Sequence, residues 1–154
     1  IPSFDTPDYS ELFAEEKEMI AKLKKAFLMV AGGAVQKYGP ELDGHQQLLM
    51  AAADILIEIY MAESTILRTE KLAKKEGESK VPEQIAMAKL YLYKAVDIVT
   101  QKGKESIISF AEGDEQRMML MGLRRFTKYT TMPNIVGLRE TITTKLVAEN
   151  EYCF

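Results

Sequence analysis

Apolar residues recur at steps of three and four along nearly the whole chain, the spacing of one buried face on a helix of 3.6 residues per turn. Leu12, Met19, Ile20, Leu23, Phe27, Val30 and Ala34 form the first such face. Asp8 or Ser10 can cap this helix, and Glu11, Glu15 and Glu16 suit its positive end. Gly39-Pro40 stops it. A second helix is predicted from near Asp43 or Gly44 to Gly77, with Leu48, Leu49, Ala52, Ile55, Leu56, Ile59, Ile66 and Leu67 inward and Lys71, Lys74 and Lys75 at its negative end. A third follows Val81-Pro82 and presents Ile85, Ala88, Leu92, Val96, Val99, Ile107 and Phe110 until Gly113 breaks it. The fourth carries Met118, Met121, Phe126 and Tyr129 and stops before Pro133; the fifth runs from about Asn134 to Glu149 on Leu138, Ile142 and Leu146.

No useful stretch alternates with period two, so the predicted fold class is all-α. Three helices of around 30 residues would each be roughly 45 Å long. Short joints between long helices favour antiparallel neighbours. The expected architecture is an elongated up-down antiparallel helical bundle of three long helices plus two shorter ones. No internal repeat argues for a solenoid.

Composition bounds the function. A chain of 154 residues, 47% hydrophobic and 28% charged, is an ordinary globular domain. Its net charge of −3 gives no bulk pull toward nucleic acid or anionic lipid. No apolar run approaches the ~20 residues of a membrane span. Residues 1–20 hold six acidic residues and one lysine, unlike a signal peptide. The opening Ile1-Pro2-Ser3-Phe4-Asp5-Thr6-Pro7 has two prolines and no periodicity. It reads as a linker over residues 1–7 from a missing upstream core, followed by one domain over 8–154; loss of a start Met or tag is the plainer alternative.

Candidate chemistry is sparse. Di-iron carboxylate bundles need inward Glu-x-x-His pairs, and the lone His45 has no carboxylate three residues before it. No metal site is expected, and Asp54 and Glu58 read as solvated or paired with a neighbouring helix. His45 reads as a surface residue near a helix start, without the Ser, Cys or second His of a triad. Cys153 lies in the terminal tail, where nothing marks it as a nucleophile. No catalytic residue is therefore assigned. The basic cluster Arg117, Arg124, Arg125 and Lys128 with Phe126 and Tyr129 reads first as a solvated or interdomain face; an anionic ligand is the second reading, and nucleic acid the weakest. Met118-Met119-Leu120-Met121 suits core filling or an adaptable groove. Gly32-Gly33 inside a helix costs about 1 kcal/mol per residue against Ala, which calls for a close helix crossing or a ligand passing the backbone.

The stretch Gln46-Gln47-Leu48-Leu49, then Ala53-Asp54, then Ile57-Glu58-Ile59-Tyr60 resembles the second helix of the extra C-terminal domain of very-long-chain acyl-CoA dehydrogenases. The Lys-rich helix end at Gly77, the long helix after it, the short helix pair and the closing Asn150-Glu151-Tyr152-Cys153-Phe154 follow in that family's order. The resemblance covers Asp8 to Phe154 and rests on helix lengths and scattered identities.

The resemblance implies a non-catalytic accessory and oligomerisation domain of a FAD-dependent flavoenzyme that removes two hydrogens across Cα–Cβ of a fatty acyl-CoA. The catalytic Glu, the acyl tunnel and most of the FAD site would lie in an N-terminal core, the domain's expected partner. The parent is expected to be a homodimer of the bacterial cytoplasm. No membrane contact is implied by this stretch, and no cofactor is expected in the isolated chain. By the same resemblance Gln46 would reach the FAD held by the core, with Gln47 as a one-residue slip. The alternative is an independent helical-bundle protein-interaction module. Helices one to three carry more apolar residues than one seam needs. An uncovered apolar side is therefore expected, with Phe13, Ile57, Tyr91, Tyr93 and the Met118–Met121 run as candidates.

Overall fold

The computed structural model describes residues 10–154. The expected linker over residues 1–7 and the candidate cap Asp8 lie outside the described residues. Five α-helices follow in order: α1 Ala14–Tyr38, α2 Gln46–Glu76, α3 Pro82–Phe110, α4 Gly113–Phe126 and α5 Ile135–Glu149. Among the described residues there is no strand. The all-α bundle of three long and two shorter helices is thus the observed fold.

Ion pairs and side-chain contacts record the packing directions. Lys17 meets Glu70 at 2.6 Å and Lys24 meets Glu63 at 2.7 Å, so α1 and α2 run antiparallel. Glu16 meets Lys89 at 3.1 Å, and a Cβ at Gly33 would stand 2.9 Å from the Phe110 ring, so α1 and α3 run parallel. The long helices therefore go up, down and up. α4 lies antiparallel on α1, with Met29 beside Gly122 and Met119 beside Gly33. α5 packs on α3 and has no buried residue of its own. α3 touches the other four helices, and Leu92, Val99 and Ile107 on it are fully buried.

Several boundaries differ from the sequence reading. The N-cap position of α1 is Phe13 and not Ser10, and it sits in the left-handed region at φ 64°. That conformation costs a non-glycine residue about 1 kcal/mol, but it turns the ring into the core, where it is 2% exposed. Burying a Phe is worth about 1.5–3 kcal/mol, so Phe13 belongs to the core and not to an uncovered side. A short 3₁₀ turn over Gly39–Gly44 delays α2 to Gln46. Tyr129 lies beyond α4, with its ring against the core. Its phenol is pushed well above the usual range, first by burial and then by nearby Glu16.

The larger correction concerns α2. Ile55, Ile59 and Ile66 face inward as expected, but Leu49, Leu56 and Leu67 are exposed. The buried stripe is completed by Ala62, Thr69 and Ala73. Small side chains admit α1 and α3 closely on that side, and the Thr69 hydroxyl donates to the Thr65 carbonyl at 2.8 Å. Ile57 is exposed as expected, and so are Met118 and Met121, while Met119 and Leu120 pack partly against the core. Tyr91 and Tyr93 are half-buried, and Leu146 on α5 is exposed.

The two adjacent glycines of α1 have different surroundings. A Cβ at Gly33 would meet Met119 Cε at 2.7 Å as well as Phe110, whereas a Cβ at Gly32 would meet none of the described residues within 4 Å. Met119 can swing aside; the buried Phe110 cannot. Gly33→Ala should therefore destabilise the chain by about 1–3 kcal/mol. Gly32→Ala should stabilise it by about 0.5–1 kcal/mol through helix propensity. Urea unfolding of both variants checks this, and shifts of the same sign would contradict the packing.

Glu70 supplies a pH signature. Its carboxylate accepts a hydrogen bond from Lys17, and Lys74 lies 3.5 Å away. The Lys17 hydrogen bond, opposed by burial, holds its pKa below the ordinary 4.5. A depressed folded value means that this stabilisation is complete above 4.5 and disappears as the pH falls through the folded value. Glu70→Gln should flatten the acid limb of the stability curve below about pH 4.5 while shifting the neutral plateau by about 1 kcal/mol or less. An unchanged acid limb would count against the assignment.

Candidate functional site

The joint between α1 and α2 builds a surface hollow. α1 ends where Gly39 takes φ 52°, a left-handed conformation suited to glycine. The 3₁₀ turn then returns the chain, and His45 stands at the N-cap of α2. Its imidazole makes no cap. It stacks on Tyr38 instead, with ring centroids 3.7 Å apart and planes 29° from parallel. The His45 carbonyl accepts from the amides of Leu48 and Leu49 at 3.0 and 3.2 Å. The amides of Gln46 and Gln47 precede these, and neither donates to an acceptor among the described residues. Both glutamine side chains are exposed.

Across from this helix start stands the last third of α3. The space between is an open cleft of about 680 Å³. Lys102 and Asp54 join its two walls at 3.1 Å. Ser106 donates to the Lys102 carbonyl at 2.8 Å and Ser109 to the Ser106 carbonyl at 2.6 Å, so both hydroxyls are engaged with the helix itself. The cleft thus offers free backbone N–H groups at a positive helix end, two neutral amide side chains and one stacked aromatic pair. The helix start is suited to polar or anionic groups, while Asp54 and Glu105 put carboxylates on the facing walls. Among the described residues no three His, Cys, Asp or Glu side chains converge on a possible metal position.

Gln46 lies on the rim of this cleft, with Gln47 beside it. Asp54, read as solvated or paired, is paired with the neighbouring helix. Tyr38, Lys102, Ser106 and Ser109 were not singled out from the sequence, because they come from other helices and no local motif marks them. The Gly39-Pro40 stop could have drawn attention to Tyr38 before it. The basic cluster stays outside the cleft: Arg117 pairs loosely with Asp114 at 3.5 Å, and Arg124, Arg125 and Lys128 are exposed. No described helix is long and apolar enough to cross a membrane.

Residues 22–125 match the family described as acyl-CoA dehydrogenase, C-terminal domain. The chain belongs to this acyl-CoA dehydrogenase C-terminal domain family. It is 37% identical over 131 residues to a probable acyl-CoA dehydrogenase of Bacillus subtilis (strain 168), a match covering 85% of the chain and 22% of that protein. It is also similar to the crystal structure of an acyl-CoA dehydrogenase from Bacillus anthracis complexed with FAD, at TM-score 0.88 and 35% identity, over 94% of the chain and 24% of that structure. The acyl-CoA dehydrogenase relatives are thus more than four times as long as the region they share with this domain.

Proposed function

We propose that this chain is the C-terminal accessory domain of a FAD-dependent acyl-CoA dehydrogenase of fatty acid β-oxidation, non-catalytic by itself. The observation that carries this reading is the coverage: the likeness to the FAD-complexed dehydrogenase takes in 94% of the chain and only 24% of the relative. Chemistry would then belong to the remaining, N-terminal part of the parent, and this domain would pack against that core. The resemblance to very-long-chain enzymes adds a role in holding the parent as a homodimer. Both relatives come from Bacillus, which favours a bacterial, cytoplasmic parent.

Within this reading Gln46 reaches the FAD held by the core. The start of α2 on the cleft supports this reading. Free N–H groups at the start of α2 suit phosphate or ribose oxygens, and a Gln amide adds a donor and an acceptor without a charge to be paired. FAD would supply the acceptor for the two hydrogens; the domain's own part is to hold one end of the molecule.

Two outcomes are expected. The purified chain should be colourless, and with octanoyl- or palmitoyl-CoA, FAD and an artificial acceptor it should give no reduction above buffer; turnover would sink the accessory-domain reading. In the full-length parent, Gln46→Ala should weaken FAD binding by roughly 0.5–1.5 kcal/mol, one net hydrogen bond. The same change should leave the melting temperature of the domain nearly unchanged. FAD content after dialysis and the FAD dissociation constant measure the first effect. Equal affinity in parent and variant would remove Gln46 from the site and leave the domain assignment standing.

A further inference from the structure

The α1–α4 contact fixes which side chains share a surface. Met29 and Gly33 of α1 face Gly122 and Met119 of α4. One position earlier on α1, Leu28 and Gly32 lie about 100° round the helix. One position earlier on α4, Met118 and Met121 lie round in the same sense. In antiparallel helices, equal rotations away from a contact lead to the same side of the pair. These four residues therefore share one side, where Leu28, Met118 and Met121 are 67%, 72% and 63% exposed.

The same surface continues across α1 to α2. Lys24 and Glu63 mark the seam. One turn beyond Lys24 on α1 comes Leu28, and one turn before Glu63 on antiparallel α2 comes Tyr60. Val35 and Leu56 follow in the same directions, and both are exposed. The result is one apolar face over three helices, on the side turned away from α3. Six large apolar side chains on it, Leu28, Val35, Leu56, Tyr60, Met118 and Met121, are 47–72% exposed, a clustering unlike the singly scattered apolar residues of an ordinary surface.

Gly32 sits within this face. A glycine inside a helix is unfavourable, and no neighbour among the described residues explains it, since a Cβ there would meet none of them within 4 Å. Its flat backbone lets another chain approach closely. Lys25 and Arg125 border the face and Arg68 lies toward its far end; no carboxylate among the described residues pairs with them. A second copy would set one basic rim beside another, whereas a different surface can carry the complementary acids.

We infer that the Leu28–Gly32–Val35 face of α1, flanked by Leu56 and Tyr60 of α2 and by Met118 and Met121 of α4, is the surface on which the domain docks against the remaining polypeptide of its parent dehydrogenase. This rests on the accessory-domain reading, in which the relatives hold more than three quarters of their length outside the shared region. The face is separate from the Gln46 cleft, so docking and flavin contact are carried by different residues.

Methionine footprinting of the full-length flavoenzyme tests this. Met132 is 68% exposed and lines a small hollow beside Glu15 and Lys89, away from the face. By exposure in the domain alone, Met118, Met121 and Met132 would be oxidised by hydrogen peroxide at similar rates. If the face is docked, Met118 and Met121 should react about tenfold slower than Met132, as side chains in a closed interface core do. Comparable rates at all three in a preparation that binds flavin and oxidises acyl-CoA would overturn the docking face alone. Protection that fades on dilution to monomers would assign the face to a second copy and also overturn it. A full-length protein without flavin or acyl-CoA oxidation would overturn the accessory-domain reading itself.

Discussion

Close approach of helices at glycines is the constraint on which the upper half of the bundle depends. Gly33 of α1 admits Phe110 and Met119, Gly103 of α3 admits Leu123, and Gly122 of α4 admits Met29. Each pocket is complete only because the opposing helix carries a bulky side chain at the matching level. α4 has one fully buried residue, Leu123, so its position rests on this interlock more than on burial of a broad stripe. Without it, Phe110 and Val30 would lose their cover. The lower half uses a different device: the Lys17–Glu70 and Glu16–Lys89 pairs at the edges of α1 align it with α2 and α3.

This arrangement separates two surfaces. The cleft is polar and open, built where the stop at Gly39 forces the chain to turn and leaves the first amides of α2 without acceptors among the described residues. The face over α1, α2 and α4 is apolar and broad. A helix that buries one stripe against its own domain and shows a second apolar stripe outward carries information about two environments. α2 does this, with Ile55, Ile59 and Ile66 inside and Leu56, Ile57 and Tyr60 outside. Family membership gives that duplication a reason, because the relatives have far more chain than this domain to pack.

Much of the fold was legible in the sequence because helix formation is governed by neighbours along the chain. Gly39-Pro40, Gly77, Pro82, Gly113 and Pro133 fix the joints through backbone conformation and missing donors, and the observed helices end or begin within a few residues of them. The inward stripe of α3 matches the sequence reading, with Ile85 at its start half-buried and packed against the core, since its apolar residues keep to one dominant face. Gln46 was reached by resemblance and not by any local signal; its place on the cleft rim came only with the coordinates.

What the sequence determined by itself was the helical class, the number and order of helices and the sites of the turns, all of which depend on local sterics and periodicity. Tertiary structure decided which of two apolar faces of α2 is buried, that Phe13 turns inward, that His45 stacks on Tyr38, and that Gly33 and Gly32 have opposite surroundings. Each of these is a relation between segments distant in sequence. Periodicity shows that a side chain can be buried; only the arrival of a neighbouring helix settles whether it is.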